Sequence, residues 1–152
     1  SPLDAYASVG GGSHYVTVAY PSAPITSSGS ADPVVFPTSA ATYFSIIGCT
    51  QDAEHALFGV LVTDCNGKAI KDTSHITLSV EQGGTSVGGS AIDASSFGSD
   101  LGTDALDGFF LVCDVPPGTT TVNASYEGKT FLSRTVNAVA NEATEVAVRP
   151  GY

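Results

Sequence analysis

The side chains best suited to chemistry in this chain are three histidines, His14, His55 and His75, an aspartate series at Asp93, Asp100, Asp104 and Asp107, and three cysteines. A metallohydrolase needs His and Glu at short fixed spacing. His14 is followed by Tyr-Val-Thr, His55 by Ala-Leu-Phe and His75 by Ile-Thr-Leu, so none opens a ligand pair, and the three read as surface or strand residues. Ser90 in Gly-Gly-Ser-Ala-Ile lacks the second glycine of a Gly-x-Ser-x-Gly nucleophile turn, and no constellation supports nucleophilic catalysis. The expectation is a protein that is not an enzyme and uses no cofactor.

The aspartates carry the hard oxygens that calcium takes, but their spacing matches no EF-hand loop. Asp and Gly are also what turns require, so a solvated acidic loop is preferred, with Asp100, Asp104 and Asp107 kept as minor calcium candidates. Cys49, Cys65 and Cys113 lack the close pairing of a zinc site. They are read as one disulfide and one leftover thiol, with Cys113 joined to Cys65 or Cys49 and Cys65 favoured; chain order alone leaves three pairings. Asn123-Ala124-Ser125 is a glycosylation sequon on a strand, with Asn123 expected to point outward.

Composition bounds the rest. Charged residues are 13% of the 152, against about 25% in an average soluble domain, while 42% are apolar, 17 are Gly and none is Met or Trp. That is a β-rich, secreted profile. Acidic residues outnumber basic ones 15 to 5, for a net charge of -10, which sets aside nucleic acid and anionic lipid because no basic patch could neutralise phosphates. No run approaches the ~20 apolar residues that span a bilayer, so membrane insertion is not expected. The start at Ser1 without methionine is read as export followed by loss of a signal peptide, placing the chain outside the cell or on its surface.

The elements that must position these residues alternate with period 2 and are punctuated by Gly, Pro and Asn-Gly. Strands are expected at 14–20, 42–48, 57–64, 75–81, 107–113, 119–126, 129–138 and 143–149, with a turn at Asn66-Gly67, a Gly/Ser-rich loop over 83–104, and no helix. Pro21 to Pro37 reads as a linker. Two units follow: an N-terminal arm, 1–50, and a β-sandwich, 51–152.

From Phe58 onward the order is Gly-Val-Leu-Val-Thr-Asp-Cys-Asn-Gly, a strand Ile-Thr-Leu-Ser-Val, a loop, Asp-Gly-Phe-Phe-Leu-Val-Cys-Asp-Val-Pro-Pro-Gly, and a last strand Thr-Glu-Val-Ala-Val. Over about 57–149 this resembles the carboxypeptidase regulatory-like, or transthyretin-like, β-sandwich family. The matching positions are Asp64, Asn66 and Gly67, then Asp107, Gly108 and Phe110, then Val115 to Gly118. Departures are Val60 in place of Gly, Ala69 in place of Pro, and Thr120 in place of an aromatic, with the second strand slipped so that Ile76, Leu78 and Val80 face inward. The resemblance implies an all-β, immunoglobulin-like antiparallel sandwich with an extended N-terminal β arm, serving as a structural, binding or adhesive module without peptidase chemistry.

Phe110 and Val112 facing the core would turn Phe109 and Leu111 outward, where something must cover them: the chain's own arm or another copy. The arm also holds an unpartnered strand, Tyr15 to Tyr20. The function expected is therefore a secreted subunit that polymerises into a pilus-like fibre. Tyr15, Val16, Val18 and Tyr20 act as a donor strand swung out on Gly10 to Gly12, with Phe109 and Leu111 at the subunit interface. Partners would be other copies, with surface glycans or neighbouring filaments as further contacts. The alternative is a monomeric extracellular binding or adhesion module, taking carbohydrate, peptide or calcium through the 83–104 loop, its arm folded back on its own body.

Overall fold

The computed structural model describes residues 6–22, 33–100 and 106–151. Its strands in chain order are β1 (Ala7–Val9), β2 (Val16–Tyr20), β3 (Ala56–Val62), β4 (Ile76–Gln82), β5 (Thr85–Ser86), β6 (Ile92–Asp93), β7 (Phe109–Val115), β8 (Gly118–Tyr126), β9 (Lys129–Thr130), β10 (Arg134–Ala138) and β11 (Glu142–Val148); helices are α1 (Ala40–Ile46) and α2 (Ser95–Asp100). One sheet runs β1-β2-β11-β3-β7-β6 and the other β10-β8-β4-β5, with β9 against β8. The chain is an all-β sandwich. It is mixed rather than antiparallel throughout, because β11 runs parallel to both β2 and β3.

Alternation builds the space between the sheets. Phe58, Val60 and Val62 of β3, Phe110 and Val112 of β7, Val122 and Ala124 of β8, and Val146 and Val148 of β11 meet in one core, with Ile76, Leu78 and Tyr126 packed against it. The slipped register of the second strand is the one observed, since Val80 also lies in that core.

A second core lies on the outer face of the six-stranded sheet, where Leu57, Phe109, Leu111, Cys113 and Ala143 are covered by Tyr15, Phe44, Cys49 and Ala94. That is why β3 and β7 read as nearly continuous apolar runs: strands buried on both faces do not alternate with polar residues. The ring of Phe109 lies against Gly59, where a β-carbon would come within 2.4 Å of its Cζ. Phe36 flanks that ring at 6.4 Å and meets Phe44 edge-on at 5.4 Å.

Several expectations are corrected. Residues 42–48 form not a strand but most of α1 and its exit turn, because Phe44 and Ile47, three apart, point together into the outer core while Ile46 faces solvent. Gly48, at φ +85, ends the helix. The 83–104 stretch is not a bare loop, for it contains β5, β6 and α2. The single strand expected at 129–138 is two, β9 and β10, with Phe131 buried between them.

Candidate functional site

The candidate site is the sheet edge formed by the N-terminal arm. β2 is rich in β-branched and aromatic residues and joins β11 in parallel, from Val16 opposite Glu142 to Tyr20 opposite Val146. β1 folds back antiparallel on β2, Ala7 opposite Ala19 and Val9 opposite Thr17. Gly10, Gly11 and Gly12, all at positive φ, make the turn between β1 and β2. They shape a hairpin within the arm, where a hinge leaving the body was expected; a side chain at Gly10 would strike the Tyr15 carbonyl at 2.5 Å.

The deeper face of β2 carries Tyr15 and Thr17, 7% and 1% exposed. Val16, Val18 and Tyr20 point the other way and are half-buried, with Tyr20 packed against the inter-sheet core and its ring 5.5 Å from Tyr6. A strap, residues 33–38, fastens the outward side. The Tyr15 N–H donates to the Phe36 carbonyl at 2.9 Å, the Thr38 N–H to the Ser13 carbonyl at 2.9 Å, and the Thr17 hydroxyl to the Val34 carbonyl at 3.4 Å. The Val34 N–H donates to a carboxylate oxygen of Glu145 at 2.8 Å. Burial pushes the Glu145 carboxyl up from its ordinary value, and the bond from Val34 opposes that only in part.

Phe109 and Leu111, expected at an interface, are 1% and 2% exposed under the chain's own α1 and strap. The disulfide anchors that cover. It joins Cys113 to Cys49, with Cα atoms 5.5 Å apart, and not to the favoured Cys65. Cys65 is exposed in the turn beyond the far end of β3, roughly 20 Å along the strand from where β7 places Cys113.

Beside the disulfide the ladder bulges: Ala56 faces Val115 while Phe58 faces Val112. The extra residue is absorbed at Asp114, whose φ is 63, so that Val115 re-enters the core and the Asp114 carboxylate turns outward. That carboxylate meets His55 Nδ1 at 2.6 Å and accepts from the Asp52 N–H at 3.3 Å, while the Asp114 N–H donates to the Gln51 side-chain carbonyl at 2.9 Å. Every one of these bonds ties the 51–55 turn to the bulge.

The calcium candidates do not converge among the described residues. Asp107 pairs with Lys71 Nζ at 2.9 Å, Asp93 accepts from Thr73 and Ser95, Asp100 ends α2, and Asp104 lies outside the described residues. No three His, Cys, Asp or Glu side chains gather as metal ligands there. His14 is exposed beside Ser13, and His75 stands edge-on to Tyr126. An open apolar hollow of about 310 Å³ lies among Asp64, Cys65, Ile70, Tyr126, Phe131 and Pro150. No helix among the described residues is long and apolar enough to cross a membrane.

Sequence reasoning missed the strap, the Glu145 anchor and the Asp114 bulge. Only the parity of Cys113 with Phe109 and Leu111 signalled that its partner must come from whatever covers that face. No protein-family model matches the chain, and no curated protein matches it either.

Proposed function

We propose that this chain is an extracellular structural subunit that assembles into a fibre by exchanging its N-terminal β arm between neighbouring copies. The carrying observation is the parallel seat of β2 on β11: no fully buried member of the inter-sheet core comes from the arm, yet the arm occupies a whole sheet edge. A neighbour's arm in the same register makes the same hydrogen bonds and fills the same place for Tyr15 and Thr17. Head-to-tail exchange does not close on itself, so it yields an open filament. The single chain closes the arm on its own edge, which is the protected form such a subunit needs before assembly. The disulfide suits an oxidising compartment, and the resemblance to carboxypeptidase regulatory-like modules fits a structural role.

The apolar hollow beside Tyr126 and Phe131 supports a second reading, a monomeric binding module with its arm permanently in place. Deleting residues 1–20 separates the two. On the fibre reading the truncated chain stays folded and caps growing filaments in electron micrographs; filaments of normal length from that deletion would overturn the reading.

A further inference from the structure

We propose that Asn123 is an N-glycosylation site, and that the outer face of the five-stranded sheet is built to carry its glycan. This inference rests on the extracellular reading above. β8 is the central strand of that sheet, paired to β4 on one side and to β9 and β10 on the other. Val122 and Ala124 point into the core, so Asn123 stands outward near the middle of the face. Ser125, the hydroxyl that completes the Asn-x-Ser sequon, lies two residues on and therefore on the same face.

The surroundings are small and hydroxylated. Ser79 sits opposite Asn123, Thr77 and Thr130 opposite Ser125, and Thr135 opposite Thr121. Within this grid the Thr121 and Thr135 hydroxyls are 3.1 Å apart, and Ser79 donates to Glu81, the carboxylate on these rows, at 2.8 Å. The Ser133 hydroxyl donates to Asn123 Oδ1 at 2.6 Å, which engages the carbonyl oxygen and leaves Nδ2 without a hydrogen bond among the described residues. Neighbouring strands about 4.8 Å apart present rows of hydroxyls on which the first sugars can rest and hydrogen-bond.

The transfer requires an oligosaccharide activated at C1 as a lipid-linked diphosphate. The Asn123 Nδ2–C1 bond forms, the C1–oxygen bond to phosphate breaks, the diphosphate leaves with the electron pair, and the amide loses one proton to a base on the transferase.

The test takes the chain from its native producer, separated into exported and intracellular pools, and maps the chymotryptic fragment around Asn123 by mass spectrometry. Exported wild-type chain should carry hexose or hexosamine increments on Asn123. The increments should vanish in both Asn123→Gln and Ser125→Ala and persist in Ser125→Thr, with the Cys49–Cys113 linkage intact in each. An unmodified Asn123 in exported protein would overturn the site while leaving export standing. A chain found solely inside cells, unmodified, would overturn both.

Discussion

Gly59 and Phe109 show how single positions decide what the outer face can bury. A methyl group at 59 would come within 2.4 Å of the Phe109 ring, which is flanked by Phe36, itself edge-on to Phe44. Gly59→Ala should therefore lose about 1–3 kcal/mol by overpacking, read as a lower urea midpoint at unchanged slope; an unchanged midpoint would show that the ring can withdraw. Phe110→Ala should cost about 3–5 kcal/mol, as expected for a residue of the inter-sheet core. Phe109→Ala should cost a similar ~3–5 kcal/mol, whereas a solvent-facing phenylalanine would lose almost nothing. Alternation made the inward set legible, and Val62, Ile76, Leu78, Phe110, Val112, Val122, Ala124, Tyr126, Val146 and Val148 all lie in or against that core. It also separated Phe109 from Phe110. What alternation does not encode is whether a second layer lies beyond the sheet, because that layer is gathered from Tyr15, residues 33–50 and the stretch around Ala94, all distant in sequence from β3 or β7.

Elements were misread wherever local propensity and tertiary packing disagreed. Thr-Tyr-Phe-Ser-Ile-Ile is rich in strand formers, yet it folds as α1 because helical spacing brings Phe44 and Ile47 to the outer core. The disulfide then fixes α1 to β7 across 64 residues of sequence. Replacing both Cys49 and Cys113 with alanine should cost about 2–5 kcal/mol, most of it through a freer unfolded chain, and denaturant titration of the double variant checks this. The strap carries a pH dependence of its own. The carboxyl of Glu145 is raised by burial, so between the ordinary glutamate value and the raised one the folded chain holds a proton that the unfolded chain has released. Its contribution to stability therefore falls as pH rises through that window and is most favourable below it. Glu145→Gln keeps an acceptor for the Val34 N–H and should raise stability at neutral pH while flattening the slope just above the ordinary glutamate range. A steeper slope in the variant would contradict this assignment. The exposed Asp64 and Asp72 act in the opposite sense: hydrogen bonds, to Asp64 from the Lys68 and Asn66 N–H groups and to Asp72 from Ser74, hold their carboxyls low, and that benefit is lost as acid protonates them.

At the scale of the whole molecule, the sandwich was legible and the fate of the arm was not. Strand periodicity, the Asn66-Gly67 turn and the Pro-Pro-Gly corner specify two packed sheets, while the choice of edge for β2 depends on a parallel pairing with β11, more than a hundred residues away. Parallel partners leave no local turn signal, and an arm that fits its own edge fits the identical edge of another copy equally well. The central claim is thus the exchange of β2 between copies, and cross-linking reads it directly. Thr17 and Ala143 are register partners across β2 and β11, both buried on the outer face. Thr17→Cys with Ala143→Cys, placed in a Cys65→Ser background and prepared from an equal mixture of ¹⁴N- and ¹⁵N-labelled chains, should give under assembly conditions a non-reducing ladder whose 17–143 cross-linked peptides include mixed-label pairs. Cross-links confined to single-label pairs, on a gel showing monomer alone, would contradict it.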